Sequence, residues 1–115
     1  MWSVGTTDEF DLWFDAQSAQ AREEITAIIG LLRSRGPFLS RPYADTLNGS
    51  RFSNMKELRV DAKRMAIRIA FAFDPKRNAI VLVAGDKRGV SEARFYRQLI
   101  AKADLLFEDH LRKTR

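Results

Sequence analysis

The sequence has no cysteine, only three prolines and a single histidine among its 115 residues. Without cysteine, the chain cannot form a disulfide framework, a thiolate zinc site or a cysteine nucleophile. No apolar run approaches the roughly 20 residues that span a bilayer, and the N-terminus lacks the basic start and apolar stretch of a signal peptide. The hydrophobic fraction of 45% is too high for a disordered chain. We therefore expect one domain spanning residues 1–115, soluble and cytoplasmic, with a core of its own.

Acidic and basic residues are segregated along the chain. Residues 1–24 carry six acids and one base, whereas residues 25–103 carry sixteen bases and six acids, a net charge of +10. The last twelve residues carry three of each. A basic segment of this size favours a polyanionic partner, nucleic acid first, although a solvated basic surface explains it equally well.

The N-terminal part of the chain has the hydrophobic spacing of helices. Thr6 and Glu9 have capping-box spacing ahead of a first helix, and Gly36 with Pro37 ends a second helix. The apolar stripe of the second helix comprises Ala21, Ile25, Ile28, Ile29 and Leu32. These two helices are predicted to form a hairpin with one apolar side.

After the hairpin, the pattern changes to the alternation of β-strands. Residues 37–54 are irregular and predict a long surface loop. The other predicted elements are a short strand at 1–4, three strands at 55–60, 65–73 and 79–84, and a last helix at 91–110. Short turns between the three strands predict an antiparallel meander. We therefore predict an α+β fold in which an N-terminal helical hairpin packs on one face of a small antiparallel sheet, followed by a C-terminal helix.

Alternation divides the residues of the middle strand between the two faces of the sheet. The large apolar residues, which must face the helices, are Ile67, Ile69, Phe71 and Phe73. Arg68 then lies among alanines on the opposite, open face, where alternation of the preceding strand also places Glu57 and Arg59. Lys87 and Arg88 follow the third strand and complete a basic rim.

Two interpretations of this charged face are open. In the first it is a positive platform for phosphates, because arginine offers them a rigid two-pronged donor. In the second, Arg68 forms an ordinary cross-strand ion pair with Glu57 on a solvated sheet.

Other candidates for chemistry are weaker. His110 lies in the last helical turns, where a cation suits the helix dipole. One histidine without cysteine argues against a transition-metal site, and we predict no metal centre. Residues 85–89 contain two glycines and two bases but lack the Gly-Lys-Ser/Thr ending of a phosphate-binding loop.

Three segments, taken in their order along the chain, resemble the RelE/HigB toxin superfamily of bacterial toxin–antitoxin systems. The resemblance is closest to the phage-derived HigB-like branch of that superfamily. They are Asn-Met-Lys-Glu-Leu-Arg at 54–59, Ile-Arg-Ile-Ala-Phe-Ala-Phe-Asp-Pro at 67–75 and Leu-Val-Ala-Gly-Asp-Lys at 82–87. Residues 95–104 of the last helix are similar to the same branch. The resemblance implies a RelE-like fold for the domain at 1–115.

The resemblance also implies an activity and partners. Its members are mRNA interferases, endoribonucleases that inhibit translation by cleaving messenger RNA, usually at the ribosome. They need no metal or other cofactor, because the 2′-OH upstream of the scissile bond attacks the phosphate. The implied partners are mRNA, the ribosome and a helix-turn-helix antitoxin, with operator DNA reached only through the toxin–antitoxin complex and no membrane.

Position by position, the resemblance implies roles for individual residues. Arg68 matches a strand arginine that stabilises the phosphate, Arg59 holds the scissile or neighbouring phosphate, and Lys87 stabilises the transition state. Tyr96 lies near a C-terminal aromatic residue that stacks on a base or relays a proton. Glu57 stands where well-known members carry a lysine proposed as the base, so it acts as base or orients an arginine. Further basic residues, which are expected to bind RNA, are Lys56, Arg64 and Arg88.

Two alternatives keep the fold or the charge without this nuclease activity. Relatives of the ParE type poison DNA gyrase and lack the catalytic basic set. A non-catalytic RNA-binding or host-takeover module of phage origin would also account for the basic middle segment.

Overall fold

The fold is α+β, as the sequence predicts. The computed structural model describes residues 1–114. The strands are β1 (Val4–Thr6), β2 (Ala44–Thr46), β3 (Lys56–Ala62), β4 (Met65–Phe73) and β5 (Ala79–Asp86). The helices are α1 (Asp8–Asp15), α2 (Ala19–Arg35) and α3 (Glu92–Lys113), with a 3-10 turn at Gly36–Phe38.

All five strands form one sheet in the order β1-β5-β4-β3-β2. The strands β3, β4 and β5 form the predicted antiparallel meander, and β2 adds antiparallel to β3. Only β1 is parallel to its neighbour, β5, so the N-terminus of the chain completes one edge of the sheet.

Two short strands differ from the sequence prediction. Ala44 to Thr46 form β2 inside the segment predicted as a loop, paired with Leu58 to Lys56. The first strand begins at Val4, because Val4 pairs with Ala79, and it does not cover residues 1–3. Strands of three residues are too short to show alternation, so pairing with their neighbours decides where they lie.

Thr7, and not Thr6, begins the first helix. Its hydroxyl oxygen accepts a hydrogen bond from the Phe10 backbone N–H at 3.0 Å and donates to the Leu82 carbonyl at 2.6 Å. The side chain therefore both caps α1 and fixes its start on β5. The predicted capping box of Thr6 and Glu9 is wrong by one residue, because Thr6 belongs to β1.

The helical hairpin covers one face of the sheet, as predicted. All five residues of the α2 stripe are buried: Ala21, Ile25, Ile28, Ile29 and Leu32. They belong to one cluster with the inward residues of the meander, among them Leu58, Val60, Ile67, Ile69, Phe71 and Val81. The apolar face of the hairpin is thus removed from water against the sheet.

The opposite face of the sheet is also covered, which the sequence interpretation did not expect. Four residues of α3 pack there against the sheet: Phe95, Leu99, Ala103 and Phe107. The small side chains of Ala70 and Ala72 on β4 let the helix approach closely. Arg68 is therefore 2% exposed and Glu57 4% exposed, and the expectation of an open, solvated face is wrong.

In the described part of the chain, residues 1–114, the helices are too short or too polar to cross a membrane.

Two glycines near the end of α2 give a matched test of this fold. Gly36 has a φ of +55°, and a Cβ added there would overlap the ring of Trp2, whereas a Cβ at Gly30 would meet nothing within 4 Å. We expect Gly36→Ala to lower the free energy of unfolding by about 2 kcal/mol or more. Gly30→Ala should raise it by roughly 0.5–1 kcal/mol through helix propensity. Urea denaturation of both variants measures this, and equal stabilities would contradict the packing of Trp2 on Gly36.

Candidate active site

Beneath the start of α3, one end of the second face brings together side chains from three elements. The register of the meander places Arg59 of β3 directly opposite Arg68 of β4. Glu57 precedes Arg59 by two residues, so both point to the same face of β3. Tyr96 reaches the same place from α3, where its hydroxyl contacts Glu57. Four of the five predicted catalytic residues therefore meet here.

Glu57 is the centre of this cluster. Its Oε1 accepts a hydrogen bond from the Tyr96 hydroxyl at 2.8 Å, and its Oε2 accepts one from Nη1 of Arg59 at 3.0 Å. The Nε of Arg68 lies 4.0 Å from Oε1. The carboxylate thus connects β3, β4 and α3 in a region from which water is largely excluded.

Arg68 binds a second carboxylate. Its Nη1 donates to Oδ1 of Asp61 at 2.9 Å and to the Ile67 carbonyl at 3.0 Å. Burial lowers the pKa of the Arg68 guanidinium, but the hydrogen bond to Asp61 and the nearby Tyr96 oxygen outweigh it, so the pKa lies above its ordinary value. Arg68 is therefore a permanent cation. The expected Arg68–Glu57 ion pair exists at 4.0 Å, but it is buried and not solvated, and the carboxylate that Arg68 binds by a hydrogen bond is that of Asp61.

One donor of Arg68 has no partner. In residues 1–114, its Nε is the one buried side-chain nitrogen or oxygen that makes no hydrogen bond. Leaving a buried donor unpaired costs about 1–3 kcal/mol. An acceptor supplied by a ligand at this point would remove that cost.

The Tyr96 hydroxyl stays protonated over the neutral range. Burial raises its pKa above the ordinary value, and the hydrogen bond to Glu57 raises it further, while Arg68 acts in the opposite direction. Tyr96 is thus a proton donor held between a buried carboxylate and a buried guanidinium.

Lys87, the fifth predicted catalytic residue, lies at the rim of the cluster. Its backbone N–H donates to the Ala66 carbonyl at 3.0 Å, which holds it beside β4. Its Nζ donates to Oε1 of Glu92 at 3.0 Å. That bond lowers the pKa of Glu92, and the charges of Arg68 and Arg59 lower it further, so Glu92 lies in the field of all three cations.

The three residues predicted to bind RNA lie outside the cluster. Lys56 shares a face of β3 with Leu58 and Val60, so it points to the hairpin side of the sheet. Arg64 lies in the turn between β3 and β4 with a φ of 58°. Arg88 pairs with Asp86 at 2.8 Å, beyond the end of β5.

Asp61 and Glu92 are members of the cluster that the sequence reasoning missed. Asp61 has the same parity on β3 as Glu57 and Arg59, so strand alternation was a signal that could have found it. Glu92 is the first residue of α3, and its approach to Lys87 depends on the turn before that helix. No pattern in the sequence indicates that approach.

His110 has a structural role, as the sequence suggests. Its Nε2 lies 3.0 Å from Oδ2 of Asp74, and its ring stacks on Phe107. Burial raises the pKa of Asp74, but hydrogen bonds from His110 and from the backbone of Asn78 and Lys76 bring it below the ordinary value. This contact ties α3 to the turn after β4.

Across residues 1–114, His, Asp and Glu do not gather in groups of three or more that could hold a metal.

Comparison with known proteins identifies relatives of the whole chain. The pattern of the phage-derived Gp49-like proteins (DUF891) matches residues 12–108. The candidate toxin HigB2 of Mycobacterium tuberculosis is 42% identical over 113 residues, which cover 95% of this chain and 56% of HigB2. This chain thus spans little more than half of that relative. The candidate toxin HigB3 of the same organism is 45% identical over 103 residues, covering 90% of this chain and 88% of HigB3.

A solved structure shares the fold. The E. coli toxin RelE, as a double arginine-to-alanine mutant in the free state, superimposes with a TM-score of 0.63. The match covers 88% of this chain and 95% of that chain at 11% identity. At this identity the likeness concerns the fold alone, and it confirms the predicted RelE-like architecture.

The raised pKa of Tyr96 can be measured directly. We expect Tyr96 to ionise above the ordinary tyrosine pKa of about 10. The phenolate absorbance of wild type and of Tyr96→Phe, followed over pH, isolates this titration because Tyr43 is the other tyrosine. Because the folded state favours the neutral phenol, Tyr96 makes its full contribution to the free energy of unfolding at pH values below its pKa in the unfolded chain. That contribution is lost as the pH rises towards the higher pKa of Tyr96 in the folded protein. Ionisation at or below the ordinary pKa would contradict the buried bond to Glu57.

Proposed function

The chain belongs to the Gp49-like family of phage-derived proteins, within the RelE/HigB toxin superfamily, and we propose that it is an mRNA interferase. In this proposal it is the toxin of a type II toxin–antitoxin system and inhibits translation in the cytoplasm by cleaving mRNA at the ribosome. The observation that carries the proposal is the cluster in which Arg59, Arg68 and Lys87 lie close together, with one buried N–H of Arg68 left without a hydrogen bond.

Cleavage of RNA without a metal requires positive charge around the reacting phosphate. The 2′-oxygen attacks phosphorus, the bond to the 5′-oxygen breaks, and negative charge accumulates on the other phosphate oxygens. Arg68 offers its free Nε–H to one of these oxygens, while Arg59 and Lys87 approach from the rim. Fixed cations in a water-poor site stabilise such a transition state strongly.

The same reaction moves one proton from the 2′-OH to the leaving 5′-oxygen. Each oxygen of Glu57 has a second lone pair besides the one used by Tyr96 or Arg59. In our scheme Glu57 takes the 2′-OH proton, and Tyr96 gives its own proton to the 5′-oxygen. The hydrogen bond of 2.8 Å between them then returns the proton from Glu57 to Tyr96. No net proton is gained or lost.

The other two carboxylates of the cluster occupy places that RNA would take. The side chains of Asp61 and Glu92 are 56% and 69% exposed, in contrast to that of Glu57. Both can therefore turn into water when a phosphate approaches Arg68 and Lys87. Asp61 and Glu92 hold the cations in place in the free protein and give way to the substrate.

The proposed partners follow from the superfamily. They are mRNA and the ribosome, and a cognate helix-turn-helix antitoxin, with operator DNA contacted through the toxin–antitoxin complex. Lys56, Arg64 and Arg88 lie outside the cluster and would contact RNA phosphates away from the cleaved bond.

Induction in a bacterial host tests the activity. Wild type should arrest growth and produce new mRNA fragments with 5′-hydroxyl ends. Lys87→Ala should reduce these ends about 100-fold or more, because it removes a cation that stabilises the transition state. Lys87 lies at the rim of the cluster, so its loss should leave the buried part of the cluster intact. Lys76→Ala, a change of the same charge in the exposed turn after β4, serves as the control and should behave as wild type.

Arg68 needs a conservative variant, because it is buried with Glu57 beside it. Removing one partner of buried charges costs about 3–5 kcal/mol, so Arg68→Ala can fail to fold. Arg68→Lys keeps the charge and loses the Nε–H, and we expect it to fold and to lose cleavage. Growth arrest without new RNA ends would instead favour a gyrase poison of the ParE type. Folded wild type that causes no arrest would favour a non-catalytic RNA-binding module.

Asp61 gives an independent test of phosphate binding at Arg68. Asp61→Asn removes a charge that competes with phosphate, so we expect several-fold tighter binding of a short RNA at low salt. The difference should shrink at high salt, because the competition is electrostatic. Asp15→Asn changes the net charge equally but lies on α1, away from the cluster, and should have little effect. Equal affinities of the two variants would argue against a phosphate at Arg68.

A further inference from the structure

A cavity of about 250 Å³ lies between α2 and the free edge of β3, on the hairpin side of the sheet. It exists because β2 pairs with β3 only at Lys56, Glu57 and Leu58, which leaves the strand edge beyond Arg59 without a neighbouring strand. The apolar part of its wall is formed by Ala27, Ile28, Leu31, Pro42, Tyr43 and Val60. Small-molecule sites usually measure about 300–1,000 Å³, so this cavity suits a group of one ring system.

The cavity and the candidate active site share two residues. Arg59 and Asp61 line the cavity, and within the cluster Arg59 binds Glu57 while Asp61 binds Arg68. Both residues belong to the free edge of β3, so an RNA strand whose phosphate displaces Asp61 from Arg68 would pass this edge, where the cavity opens. The nucleobase that is joined to this phosphate through one sugar is the part of the RNA most able to enter the cavity.

The cavity offers an aromatic surface in a fixed position. The Tyr43 carbonyl accepts a hydrogen bond from the Arg59 backbone N–H at 2.8 Å, which ties Tyr43 to the active-site strand. The guanidinium of Arg35 lies 5.8 Å from the centre of the Tyr43 ring. Aromatic side chains next to a phosphate-binding strand are the usual platform for bases of single-stranded RNA.

The polar group at the rim is a carboxylate. Glu24 lines the cavity from α2 and is exposed, and its carboxylate makes no side-chain hydrogen bond or ion pair within residues 1–114. A carboxylate there disfavours phosphate but accepts hydrogen bonds from N–H groups. Guanine alone among the four bases presents two adjacent N–H donors on its Watson–Crick edge, which match the two oxygens of a carboxylate.

We propose that this cavity binds one nucleobase of the RNA, adjacent to the cleaved phosphate, and that Glu24 makes it prefer guanine. This inference rests on the proposed function, since it assumes that RNA binds at Arg68. It gives Tyr43 and Glu24 roles in choosing the sequence that is bound.

Binding of a non-cleavable RNA separates this inference from catalysis. Short oligonucleotides with 2′-O-methyl groups throughout cannot be cleaved, and fluorescence anisotropy gives their Kd. A set that differs by one base at each position identifies where wild type prefers guanine. We expect a preference at one position, of about tenfold over uracil.

Three variants test the cavity. Tyr43→Ala removes the aromatic surface, and Ala27→Leu fills the space from an exposed position of α2; each should raise the Kd about tenfold or more. Glu24→Gln should abolish the guanine preference and leave binding of the other sequences nearly unchanged. Phe38→Ala is the matched control, because Phe38 is 82% exposed and lies outside the cavity wall.

The outcomes distinguish this inference from the proposed function. If Tyr43→Ala and Ala27→Leu bind RNA as Phe38→Ala does, the cavity is not a base site, whether or not wild type cleaves RNA. If wild type binds RNA with the expected preference but never cleaves it, the base site stands and the nuclease proposal fails. If the variants bind RNA normally but are no longer neutralised by the antitoxin, the cavity is a protein-docking groove and the inference is wrong.

Discussion

The burial of Glu57 and Arg68 at one end of the sheet is the constraint on which the rest of the site depends. A carboxylate and a guanidinium are costly to remove from water unless their hydrogen-bonding groups are satisfied. Tyr96, Arg59 and Asp61 supply those partners from α3 and β3. The position of α3 is therefore fixed at two places, by its apolar packing on the alanines of β4 and by the phenol that reaches Glu57.

Strand alternation predicted which residues share a face but not what covers that face. The bounds of β4, the stripe of α2 and the shared side of Glu57, Arg59 and Arg68 follow from local periodicity, which a sequence displays directly. The burial of Arg68 depends on where α3 packs, and tertiary contacts decide that position, which local periodicity does not show. A clue was present, because an apolar helix face at Phe95 and Leu99 had no other surface to cover. The short strand β2 and the exact cap of α1 had no comparable signal.

Net charge gave a misleading picture of the surface. The middle of the chain carries sixteen bases against six acids, which suggested an open positive platform. In the folded protein, carboxylates gather where the functional cations do, since Glu57, Asp61 and Glu92 face Arg59, Arg68 and Lys87. The charges of the cluster are locally balanced, so the proposed binding of RNA would depend on which carboxylates can move away from the cations. Exposure separates them: Asp61 and Glu92 are free to move into water and Glu57 is not.

This difference connects stability with function. Glu57 stabilises the architecture, because its loss would leave buried cations without a partner. Asp61 pairs with the same buried guanidinium, but its carboxylate is half exposed, so water can replace it more easily than it can replace Glu57. In the proposed function this exposure lets a phosphate take the place of Asp61 at Arg68. The Nε of Arg68 agrees with this interpretation, because it is a buried donor without a hydrogen bond. Such donors are rare and lower the stability of a fold. A buried donor without a hydrogen bond, next to cations whose carboxylate partners are half exposed, is the arrangement that the proposed binding of a phosphate would use.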